Sequence, residues 1–179
     1  MRIGLFAASA ACSLLAACGT TQVGLVPLGG AVTSPDTGSY AARAAAGNLF
    51  EMRAAQLALA QAQRPDVRAF AGQLVAEHSG AAESLAAALA DAGLGPLDPA
   101  LTASQQRMLD ELQGAPPAAF DAAYLRQQLA AHEEARRLHR AYALSGDAEP
   151  VRFVAAASSA AAVGHREALR RIRREAGLD

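Results

Sequence analysis

The sequence contains no tryptophan and no lysine, and aromatic residues make up only 4% of its 179 positions. β-Branched residues are also sparse, so the 52% of hydrophobic positions is carried mainly by alanine and leucine. That composition disfavours sheet and suits helices that approach one another closely. An excess of charge of either sign is missing too. The formal net charge is −1 and all 16 basic residues are arginine, which gives no footing to a nucleic-acid partner. Cysteine is limited to Cys12 and Cys18. Neither a glycine-rich phosphate loop between strand and helix nor a serine-nucleophile motif occurs.

The first residues read as a targeting segment. Arg2 is a minimal positive region, and Ile3 to Leu15 is an apolar stretch short of the roughly 20 residues that span a bilayer. Leu15-Ala16-Ala17-Cys18 follows and resembles the lipobox of bacterial lipoproteins, in which small residues permit cleavage and the cysteine is acylated. Residues 1–17 are therefore expected to be a signal peptide, and residues 18–38 a lipidated Cys18 with a flexible Gly/Thr/Ser/Pro tether. Gly19, in place of a retention aspartate, points to the periplasmic side of the outer membrane, with the bilayer as partner through the lipid.

Punctuation in residues 39–176 is regular. A first helix is expected from Tyr40 to about Gln63, stopped by Arg64-Pro65. A second runs from about Asp66 to Ala92, with Gly93 as its C′ residue. Thr102-Ala103-Ser104-Gln105 reads as a capping box for a short helix to about Leu112. Pro116-Pro117 opens the next long helix, to about Ser145, and Asp147 is a candidate cap for the last, to about Ala176. The expected fold class is all-α: an antiparallel four-helix bundle of ferritin-like arrangement, with one long crossover carrying a short helix. Phe70, Gln73 and His78 recur as Tyr124, Gln127 and His132 at an offset of 54 residues, in keeping with two related hairpins.

The four histidines fall on apolar arcs when each helix is wound at 100° per residue. Depth is read from distance to the turns. Glu51 and His78 are centred on Arg64-Pro65, and His132 and His165 on Ala148-Glu149, so both pairs sit roughly 20–25 Å from their turns. Glu51, His78, His132 and His165 are thus a candidate layer of one polar residue from each of four helices. Neutral imidazoles with one carboxylate suit a single transition-metal ion such as Zn, Fe or Cu. Gln128 and His139 lie on the same face as His132. The alternative is a structural polar layer that fixes helix register.

Gly47-Asn48-Leu49-Phe50-Glu51, Val67-Arg68-Ala69-Phe70-Ala71 leading to His78, Phe120-Asp121-Ala122-Ala123-Tyr124-Leu125 leading to His132, and His165 resemble the exported ferritin-like family known as domain of unknown function 4142. The resemblance covers roughly Tyr40 to Ile172. It implies a ferritin-like bundle in the cell envelope without an established activity, with Glu51, His78, Asp121, Tyr124, His132 and His165 at the recurrent polar positions. One departure from the ferritin pattern stands out. No glutamate has histidine three residues later, so the paired Glu-x-x-His motifs of a di-iron centre are missing. Two readings follow. The first is a non-enzymatic envelope module, stress-related, acting through its surface. The second is a mononuclear metal- or cofactor-binding protein using the His3Glu layer. Arg166, Arg170, Arg171, Arg173 and Arg174 read as a solvated face near a helix C-terminus.

Overall fold

The computed structural model describes residues 36–178. The expected signal peptide, Cys18 and nearly all of the expected tether lie outside these residues. The described chain forms five helices, α1 (Thr37–Gln61), α2 (Pro65–Asp91), α3 (Ala103–Gln113), α4 (Pro117–Ser145) and α5 (Glu149–Glu175), and no strand occurs among the described residues. No helix among them is long and apolar enough to cross a membrane.

Helix ends follow local chemistry. The Asp36 carboxylate accepts from Ser39 N and starts α1 at Thr37, inside the stretch expected to be tether. Pro65 bars helical geometry at Arg64, and Asp121 on α4 accepts from the backbone amides of Gln63 and Arg64 at 3.0 and 2.9 Å. The α1–α2 turn is thereby tied to α4. At the end of α2, Gly93 takes φ 74°, where only glycine is unstrained. Leu94 N donates to Leu89 O and Gly93 N to Ala90 O, the paired bonds of a Schellman ending. The Thr102/Gln105 capping box forms in full. The expected cap at Asp147 does not form, because Ala148 is the N-cap of α5. The Asp147 carboxylate is taken instead by Thr37 Oγ1 and Tyr142 OH.

Each long helix packs against two others: α1 against α2 and α4, and α5 against α2 and α4. Helix α3, in the α2–α4 connection, rests on α1 and α4. Alanine makes this close packing possible. Ala41, Ala54, Ala55 and Ala58 on α1 and Ala71 on α2 are fully buried, so backbones approach without large side chains between them. Two apolar clusters result. One gathers Phe50, Phe70, Leu74, Phe120, Tyr124, Leu125 and Leu169. The other gathers Tyr40, Ala41, Leu85, Leu89, Tyr142 and Val151. Asn48 on α1, His78 on α2, Gln128 and His132 on α4 and His165 on α5 lie between the two clusters in chain position.

Candidate metal centre

Three helices supply the central side chains: His78 from α2, His132 from α4 and His165 from α5. One ring nitrogen from each lies within 4.8 Å of the others. Ring centroids are 5.0 Å apart for His132–His165 and 5.7 Å for His78–His132. The apolar arcs around each histidine turn these rings inward, and burial leaves His132 only 1% and His165 7% exposed.

The outer nitrogen of each ring is engaged by an acceptor. His132 Nδ1 donates to the Gln128 carbonyl oxygen at 2.9 Å, one turn earlier on α4. His78 Nδ1 donates to Asn48 Oδ1 at 3.0 Å. His165 Nε2 donates to Glu77 Oε2 at 2.5 Å. These partners assign the hydrogens, since a carbonyl or carboxylate oxygen only accepts. The remaining nitrogens, His132 Nε2, His165 Nδ1 and His78 Nε2, therefore carry lone pairs in the neutral rings. His132 Nε2 and His165 Nδ1 stand 3.0 Å apart, and His78 Nε2 is buried without a partner.

Two lone pairs at that separation repel unless a cation is shared between them. A proton is poorly suited to the task. Burial pulls His132 down to about 4, against a rise from the Gln128 carbonyl. Burial, with the neighbouring histidines, pulls His78 to about 3. His165 is also lowered, by burial first and then by His132, against the pull of Glu77. All three rings are neutral at pH 7, the form in which imidazole ligates a metal. A cavity of about 50 Å³ borders the three rings, Asn48 and Glu77. That space takes an ion and a bound water or two.

Glu51 does not join this group. Its Oε1 lies 3.5 Å from His132 Nδ1, the nitrogen already committed to Gln128 and facing away from His165. Helix depth brings Glu51 to the correct level, but its azimuth on α1 directs it to the far side of His132. Burial raises the Glu51 carboxyl to about 8, against smaller opposing effects of Gln128 and His165. Glu51 Oε2, both amide atoms of Gln128 and Tyr124 OH are buried without a hydrogen-bond partner. Asp121 belongs to the α1–α2 turn, and His139 accepts or donates through Nδ1 with Tyr40 OH at 2.8 Å. Glu77 and Asn48, which hold two of the three rings, were not singled out in the sequence as ring partners. Glu77 immediately precedes His78 and is 45% exposed at its side chain, so a solvated position was its ordinary reading. Asn48 sits 30 residues before His78, one turn from Glu51 on the same helix.

Comparison with known proteins adds family and fold. A family model described as domain of unknown function (DUF4142) matches residues 28–172. Among solved structures, the chain is similar to a crystal structure of a DUF305 fragment from Deinococcus radiodurans. The TM-score is 0.66 at 18% identity, over 78% of this chain and 95% of that one. At that identity the likeness concerns the fold alone. No curated protein matches.

Proposed function

This chain belongs to the domain of unknown function family DUF4142, and on that premise we propose that it is an envelope lipoprotein whose helical domain holds one divalent transition-metal ion on His78, His132 and His165. The observation that carries the reading is the set of three ring nitrogens facing one another, His78 Nε2 among them without a partner, while each opposite nitrogen is held by Gln128 O, Asn48 or Glu77. Metal-ligating histidines have this arrangement: an outer acceptor fixes tautomer and ring orientation and makes the inner nitrogen a better base.

Three neutral nitrogens with no thiolate suit Zn(II) or Cu(II), with a fourth position left to water. Closing the rings on a common ion at about 2.0–2.1 Å takes side-chain shifts of about 1 Å. The paired helix contacts, with α3 in the long connection, support a ferritin-like four-helix bundle as the scaffold. The absence of Glu-x-x-His pairs in the sequence supports a single ion over a di-iron centre. The role is binding and retention of the ion, with no turnover invoked. The envelope location and acylation of Cys18 rest on Leu15-Ala16-Ala17-Cys18 behind an apolar segment.

Calorimetric titration of the purified, metal-free chain with Zn(II) is expected to give one ion per chain, and His132→Ala to abolish the heat. Equal binding by the variant would overturn the assignment of ligands. A Cys18→Ser variant is expected to lose acyl labelling, and retained label would overturn the anchor.

A further inference from the structure

A second cavity, of about 170 Å³, opens between α1 and α4 with α3 at one end. Its walls are mostly apolar, with Ala44, Phe50, Met108, Ala131 and Leu138 among the lining residues. Cavities of about 150 Å³ accept a benzene ring, so this one has room for a single six-membered ring with a substituent.

Its polar lining includes Asn48, His78 and Gln105, and Asn48 Oδ1 is already bonded to His78 Nδ1. Glu51 borders the cavity, is 4% exposed, and leaves Oε2 without any partner in the protein. Arg43 and Glu134 also border it and pair with each other at 3.5 Å through exposed side chains. Their opposite charges cancel, which removes any selection for a charged guest. His139 is already engaged by Tyr40.

We propose that the cavity between α1, α3 and α4 is a binding site for a small neutral aromatic molecule with one hydrogen-bonding oxygen, of phenol size, anchored on Glu51 Oε2. The ring replaces water against the apolar wall, and the oxygen satisfies a buried polar atom that otherwise stays unpaired. The anchor, Glu51 Oε2, is distinct from the metal ligands, although His78 and Asn48 border both cavities.

Gly47 makes a clean test possible. It lines the cavity, and a Cβ built there meets nothing within 4 Å. A leucine at this mid-helix position extends from a Cβ with open space around it and favours the helix over glycine. Calorimetric titrations of the full chain with phenol and with benzene, in the presence of chelator, read the outcome. Saturable phenol binding is expected, with benzene at least about 10-fold weaker. Gly47→Leu is expected to weaken phenol at least about 10-fold while its melting temperature holds or rises. His165→Ala, at a residue that does not border this cavity, is expected to bind phenol as the parent does, so failure of the metal site leaves this result intact. Absence of saturable phenol binding, equal affinity in Gly47→Leu, or equal affinity for benzene and phenol would each overturn the proposal.

Discussion

Two groups of buried polar side chains lie along the same four helices, and they differ in whether they are complete. Toward the α4–α5 turn, Tyr40 stacks on Tyr142 at 3.9 Å and bonds His139 at 2.8 Å. Tyr142 OH meets Thr37 Oγ1 and Asp147, and accepts from Ala148 N at 3.2 Å. These partners tie the start of α1 to the α4–α5 turn. Around His78, His132 and His165 the pattern is reversed. The outer contacts are complete, while His78 Nε2, Glu51 Oε2, the Gln128 side-chain amide and Tyr124 OH have no partner. A closed network stabilises a fold, whereas an open one costs stability until something binds it. The contrast supports reading the first group as structural and the second as the proposed site.

The largest effect that sharpens the contrast is ion binding. At an ion concentration about 100 times Kd, stability rises by about 2.7 kcal/mol, which for a domain of this size raises Tm by about 10 °C. Differential scanning calorimetry with and without Zn(II) reads this directly, and a chelator should reverse it. A smaller effect is expected from the ring partners. Asn48→Ala or Glu77→Ala should each weaken the ion about 10–100-fold in competition titrations. Tyr142→Phe should divide the two groups in the other direction. It leaves Asp147 and Ala148 N short of a partner and lowers stability by about 1–2 kcal/mol in denaturant unfolding, with ion affinity unchanged. A Tyr142→Phe variant that loses the ion would break the division.

The smallest effect concerns pH in the metal-free chain. His78, His132 and His139 stand at about 3, about 4 and about 4, below their ordinary 6.5, chiefly through burial. Unfolding therefore takes up protons as pH falls below 6.5, and stability is lost down through the folded values. Glu51, raised from 4.5 to about 8 by burial, acts oppositely. Its contribution is full below pH 4.5 and is lost as pH rises through 8. Between 4.5 and 6.5 the three histidines outweigh the one glutamate. Above about pH 7 the Glu51 effect is the larger. Stability should peak near pH 7 and decline by about 1 kcal/mol or less toward pH 8. Glu51→Gln should flatten that alkaline decline, and an unchanged slope would remove Glu51 as its cause.

Helix ends were the most legible part of the sequence, because proline and glycine act locally. Pro65 and Pro117 open α2 and α4, and Gly93 closes α2. Asp147 misled for a long-range reason: Tyr142 and Thr37, 105 residues apart, compete for its carboxylate, and no local rule anticipates that. Gly146 shows the same crowding, since any Cβ there would collide with the Tyr142 ring. Counting from the turns set His78, His132 and His165 at one level, and they lie together. The same count gave Glu51 its level but not its direction, because distance along a helix says nothing of azimuth about it. Glu77 and Asn48 were hidden for a related reason. Their roles depend on which neighbour each faces across helices, and side chains at such positions usually meet solvent.

X-ray absorption spectroscopy of the Zn(II)-loaded chain reads the ligands themselves. Three imidazole nitrogens at about 2.0–2.1 Å with one further light-atom ligand are expected, with loss of the bound ion in His132→Ala. A shell of oxygen ligands without imidazole scattering, or a spectrum unchanged by His132→Ala, would contradict the three-histidine site.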